Sequence, residues 1–125
     1  AIINTYYLGI LANSSEKADR DVASKVAVFF PNQQGRGTHI NVSGAGVTSS
    51  SKNKKEAIKF LEFLSNAKSQ ETFGNVNHEY PVMIETNQSS LLKSWGSFKY
   101  DSINLSILGA NNSEAVKLFD RAGWE

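Results

Sequence analysis

The chain has 125 residues, room for one modest domain, and its 40% hydrophobic and 20% charged content excludes wholesale disorder. Thirteen Lys and Arg against twelve Asp and Glu leave a formal charge of +1, too small a field to draw in nucleic acid. Cysteine is absent, so disulfides, thiolate metal sites and cysteine nucleophiles are excluded, and two histidines, His39 and His78, cannot build a histidine cage. No apolar run reaches the roughly 20 residues that span a bilayer. The start, Ala1-Ile2-Ile3-Asn4, has neither the basic region nor the apolar length of a signal peptide. It begins as though in mid-element, and the expectation is a piece of a longer, exported protein.

In chain order, residues 4–13 place Tyr7, Ile10 and Leu11 at helical spacing, with Asn4 or Thr5 able to cap the start. Residues 13–21 are polar and predict a loop or an exposed helical turn. Val26, Ala27, Val28, Phe29 and Phe30 form an apolar run closed by Pro31, the pattern of a strand covered on both faces. A turn-rich stretch through Gly35, Arg36 and Gly37 follows. Thr38, Ile40 and Val42 then alternate with His39 and Asn41, which predicts a second strand. Asn53 with Glu56 gives a capping-box pattern ahead of the apolar face of Ala57, Ile58, Phe60, Leu61, Phe63 and Leu64. A helix is expected from Ala67 through Phe73, ended by Gly74, and Tyr80-Pro81-Val82 reads as extended. Asn111 and Glu114 repeat the capping pattern before a last helix stopped by Gly123. Strand, turn, strand, linker and helix in that order predict an α/β domain with too few strands to cover its own core.

Chemistry is sparse. Tyr6 and Tyr7 are the most suggestive pair, because phenolates are hard oxygen donors suited to a hard trivalent cation. Adjacent helical residues diverge by about 100°, so the two oxygens meet on one ion only at a helix start, where Asn4-Thr5 places them. The alternative is that both rings simply pack, with their hydroxyls in solvent. His39 within a strand pattern and His78 before Tyr80-Pro81 read as structural or solvated residues. The glycines around Arg36 and at Gly44 and Gly46 lack the spacing of a phosphate loop. Lys52, Lys54 and Lys55 read as a solvated helix edge, and Trp95, Phe98 and Tyr100 as a hydrophobic latch. No nucleophile–base arrangement is visible, and an enzyme is not expected.

Several segments together carry a resemblance. Asn4-Thr5-Tyr6-Tyr7-Leu8-Gly9, then Val28-Phe29-Phe30-Pro31-Asn32-Gln33, then residues 35–47 stand in a familiar order. Residues 54–64, Tyr80-Pro81-Val82, Trp95-Gly96-Ser97-Phe98-Lys99 and Ala122-Gly123-Trp124 continue it. The chain resembles the C-terminal part of the ferric-iron-binding periplasmic proteins of bacterial ABC importers, over essentially all its length. Full members are much longer.

The resemblance implies an α/β, two-lobed, transferrin-like periplasmic-binding-protein fold of type II, of which this chain is an incomplete C-terminal portion. Residues 1–37 would complete the second lobe, carrying the tandem-tyrosine helix start and one buried strand. Residues 38–125 would supply a crossing strand and the helices that complete the first. It further implies Fe³⁺ as transported ligand in an interlobe cleft, with Tyr6 and Tyr7 as phenolate ligands. The remaining ligands would come from an absent N-terminal portion, and a synergistic anion such as carbonate would join them. The implied partner is the membrane permease of an ABC importer, and the implied location is the periplasm, free or lipid-anchored. Alone, the chain is expected to bind iron weakly. Two other readings stand beside this: a binding protein for another anion or metal complex, and a self-associating piece that binds nothing.

Overall fold

The computed structural model describes residues 1–83 and 85–124. Seven helices run in chain order: α1 Thr5–Ala12, α2 Lys17–Ala23, α3 Lys54–Ser65, α4 Ala67–Val76, α5 Ser90–Ser94, α6 Leu105–Ala110 and α7 Asn112–Ala122. Among the described residues there is no strand. One isolated parallel bridge, Thr38 to Tyr100, is the whole of the β-pairing there. The α/β expectation, and with it the two-lobed fold built on a sheet, is therefore corrected: this chain is helical.

The reason is physical. A strand exists only by hydrogen-bonding to a neighbour, and that neighbour is not written into the segment's own hydrophobic pattern. No backbone hydrogen bond joins residues 27–30 to any other described residue. In the second predicted strand, only Thr38 finds a partner: its N–H donates to the Lys99 carbonyl at 2.8 Å, and its carbonyl accepts from Asp101 N at 2.8 Å. Residues 80–82 also lie outside any helix or strand.

The helices follow their local signals more closely. α3 starts after Asn53 as its pattern predicts, but the Asn53 side chain makes no capping bond, at φ −115° and ψ 49°. α4 is capped instead by Asn66, whose side chain accepts from Ser69 N at 2.9 Å. Gly74 does not end α4, which continues to Val76. It is buried there because the Glu79 carbonyl and Leu92 close over it. α7 ends at Gly123 in the left-handed conformation, φ 63°, as expected of a helix stop.

The chain divides into two compact units, Ala1–Phe30 with Asn41–Phe98, and Pro31–Ile40 with Lys99–Glu125. In the first, α1 packs on α2 and α3 on α4. Its aromatic cluster joins Phe30 stacked on Phe98 at 4.1 Å, with Tyr80 set edge-on to Phe98 at 5.3 Å and tilted to Trp95 at 6.3 Å. Leu92, on α5, is the one hydrophobic side chain wholly buried among the described residues.

The second unit is closed by a polar clasp. Gln33 accepts from Lys99 N through Oε1 at 2.7 Å, and donates through Nε2 to the Lys99 carbonyl at 3.0 Å and to Thr38 Oγ1 at 2.8 Å. Its amide thus imitates a neighbouring strand. Gly37 makes the approach possible, with φ 100° and the Tyr100 backbone where a Cβ would stand. Arg36 pairs with Asp101 at 3.4 Å. Gln33→Ala is expected to speed hydrogen exchange at the Lys99 amide about tenfold, the loss of one hydrogen bond of ordinary strength. The Asp101 amide, held by the Thr38 carbonyl, serves as the internal reference, and equal rates at Lys99 in both proteins would refute the clasp.

Candidate functional site

The candidate site is the beginning of α1. Asn4 occupies the N-cap with extended dihedrals, φ −70° and ψ 141°, and Tyr7 N donates to its carbonyl at 3.3 Å. Tyr6 and Tyr7 are therefore in the first helical turn, where backbone N–H groups still lack helical partners. Their ring centroids lie 4.3 Å apart at an interplanar angle of 34°. Two side chains that leave the helix about 100° apart have been folded together.

The helix repeat explains which face each ring takes. Leu8 and Ala12 turn toward an open cavity of about 410 Å³, which Arg20, Ser24, Val26 and Trp95 also line. Neither tyrosine lines that cavity. Tyr6 is half-buried, and Tyr7, on the side away from the cavity, is 48% exposed. The pair is open to a ligand from solvent.

The Tyr6 hydroxyl raises the Tyr7 phenol above its ordinary pKa, first through hydrogen bonding to the neutral form and then through charge repulsion, with slight desolvation last. Both effects say the same thing chemically. Two adjacent phenols resist ionising together, and a cation that takes both oxygens must displace their protons and supply the missing positive charge.

The other residues singled out from the sequence are not gathered into a site. His39 is exposed and belongs to the second compact unit. Arg36 is engaged with Asp101, and Lys52, Lys54 and Lys55 are exposed around the start of α3. Among the described residues, no group of three His, Asp or Glu is placed to hold a metal ion. Trp95 and Phe98 take part in the aromatic cluster, while Tyr100 is exposed.

Two features escaped the sequence reading. Tyr80 buries its hydroxyl without a partner, and burial raises its pKa. Its spacing from Trp95 and Phe98 held no periodic signal that would join them. His78 takes a left-handed conformation, φ 59°, and presses against Gly9 of α1. Histidine is enriched several-fold among non-glycine residues at positive φ, but no pattern marks where this happens.

No protein-family model matches the chain. Iron uptake protein A1 of Synechocystis is 43% identical over 124 residues, 99% of this chain and 34% of that protein. The Trichodesmium FutA (IdiA) protein, solved in complex with iron and citrate, is 51% identical with a TM-score of 0.93, over 98% of this chain and 39% of that one. This chain is homologous to these iron proteins over nearly its whole length. The ferric binding protein from Campylobacter jejuni extends the likeness, at 42% identity and a TM-score of 0.92 over 100% of this chain and 40% of that protein. The chain thus spans about a third to two-fifths of the length of the relatives it matches.

Proposed function

We propose that this chain is the C-terminal part of an extracytoplasmic substrate-binding protein that captures ferric iron and delivers it to the permease of an ABC importer. The observation that carries the reading is the Tyr6–Tyr7 pair, two phenols brought to 4.3 Å at a solvent-facing helix start. The homology supports it, since the relatives are named for iron uptake or ferric binding and one was solved with iron. A binding role rather than catalysis follows from the same names.

In this reading both phenolates ligate Fe³⁺, and the remaining ligands come from polypeptide outside these 125 residues or from an anion such as carbonate or citrate. Two hard oxygens satisfy only part of the coordination of a trivalent ion. The 125-residue chain therefore binds iron weakly alone. Titration with ferric citrate at neutral pH, followed by visible absorbance, tests this on the chain and on an N-terminally longer protein. Strong colour is expected only with the longer protein. A tight stoichiometric complex of the 125 residues would overturn the weak-binding part, and colour in neither would overturn the iron reading.

A second reading concerns the chain by itself and rests on its surface. Ile2 is 92% exposed, Phe29 84% and Trp124 63%, with Phe60, Phe63, Leu118 and Phe119 all more than half exposed. So much apolar area in water favours association between copies. Sedimentation is expected to show a size that grows with concentration; a fixed monomer mass across a hundredfold range would exclude it.

A further inference from the structure

We infer that His78 is a positioning residue for the tyrosine pair, acting through Gly9, an assignment that rests on the iron-binding reading for its function but on its own geometry for its existence. A Cβ built on Gly9 would stand 2.5 Å from His78 Cβ, 2.6 Å from Cγ and 2.8 Å from Cδ2. The imidazole therefore lies directly on the backbone of α1. No side chain other than hydrogen fits between them.

Gly9 is three residues beyond Tyr6, about 60° around the helix from it and less than one turn away. The place where His78 touches α1 is thus within one helical turn of Tyr6. The rest of α1 is held by its packing on α2, and by Asn13, which caps the end through its Nδ2 to the Gly9 carbonyl at 2.9 Å. Gly9 is buried by these contacts.

His78 is itself firmly held. It follows Asn77, the C-cap of α4, and its φ of 59° turns the chain back sharply. The next residue lays its carbonyl over Gly74 of α4, and Tyr80 enters the aromatic cluster with Trp95 and Phe98. Nδ1 of His78 is buried without a hydrogen-bond partner. The ring is placed by packing, and its duty is steric. His78 holds this left-handed conformation with its ring against Gly9, where α1 has no side chain.

The consequence is that the seat of α1, and so the position from which the tyrosine pair is presented, depends on a residue outside the helix. Gly9→Ala drives a methyl into the imidazole and lifts α1 from its seat. His78→Gly empties the seat and suits the left-handed backbone. The double variant restores the volume, with the new methyl entering the space the ring vacated.

Two readouts test this, the first on the 125-residue chain and the second on the N-terminally longer protein. In the metal-free protein, nuclear magnetic resonance is expected to show the Tyr6 and Tyr7 amide signals displaced in G9A and returned toward wild type in G9A/H78G. In the N-terminally longer protein with ferric citrate, G9A is expected to weaken the apparent iron affinity about 10- to 100-fold, as loss of an outer supporting contact does, and to shift the visible band. The double variant recovers both. H78N provides a folded control, since asparagine tolerates the left-handed conformation without the ring; it should keep its melting temperature while the tyrosine signals move. Unmoved Tyr6 and Tyr7 signals in G9A and H78N, or a double variant no closer to wild type than G9A, overturn the inference. A longer wild-type protein that stays colourless overturns the iron reading instead, and the metal-free spectra then decide the inference by themselves.

Discussion

Replacing Tyr6 and Tyr7 together by phenylalanine is expected to abolish the visible band that ferric citrate develops with the N-terminally longer protein, and to lower its iron affinity by at least about a thousandfold. In the proposed site each phenolate is a charged, directly bonded ligand, and loss of one outer contact alone costs 10- to 100-fold at metal sites. The change removes two oxygens and leaves two rings that still stack at 4.3 Å, so α1 and its packing should survive. Far-ultraviolet circular dichroism checks that they do. The single variants separate the roles. Tyr7→Phe removes the exposed phenol whose ionisation the neighbour opposes, so the remaining Tyr6 keeps a weak band of different energy. An unchanged band in the double variant would transfer the iron to other ligands and remove the basis of the proposed function.

The same chemistry fixes the direction of the pH dependence. The Tyr7 phenol is raised above its ordinary pKa by Tyr6, so near neutrality it is protonated in the free chain. Iron binding displaces that proton, and the Tyr6 proton with it. Affinity must then fall as pH falls, about 100-fold per unit when two protons leave and about tenfold when one does. A titration series from pH 6 to 8, corrected for citrate's own protons, counts them. An affinity flat in pH would mean that phenolates are not the ligands.

What could be read from the sequence follows the range of the interactions involved. α3 and α7 were legible because their apolar period is local, and α7 also from the glycine behind its last turn, although neither Asn53 nor Asn111 makes the side-chain capping bond its pattern implied. The strands were not, because the apolar run of Val26, Val28 and Phe30 specifies burial and leaves pairing open. Phe30 is used against the Phe98 ring rather than in a ladder. Gly74 shows the ambiguity of a single residue type. It serves a close approach inside α4, where the sequence suggested a stop. At the candidate site, the place of Tyr6 and Tyr7 in the first turn of α1 was legible from the sequence around Asn4. The supports were not, since the contact from His78 to Gly9 crosses about seventy residues and depends on one left-handed turn.

The interior of this chain is so thin that one side chain should decide its stability. Leu92 is 0% exposed and is the single hydrophobic residue wholly buried among the described residues. It projects from α5, itself capped by Ser89, whose Oγ accepts from the Leu92 N–H at 3.3 Å. Its Cδ1 lies against Gly74, so the leucine fills the space where α4 has no side chain of its own. Leu92→Ala removes both the transfer free energy and the contact, and the gap cannot be closed from the α4 side, where there is only hydrogen. The expected cost is about 3–5 kcal/mol, the upper range for buried leucines. Marginal domains hold only about 5–15 kcal/mol in all, so the cooperative thermal transition should move down by roughly 10 °C or more, or vanish. Ile2→Ala is the matched comparison. At 92% exposure it loses aliphatic carbon but no packing, and its cost should stay within about 0.5 kcal/mol. Equal costs at the two positions would mean that Ile2 is covered in solution, by another copy or by further polypeptide. A small effect at Leu92 alone would mean that α4 and α5 do not unfold as one.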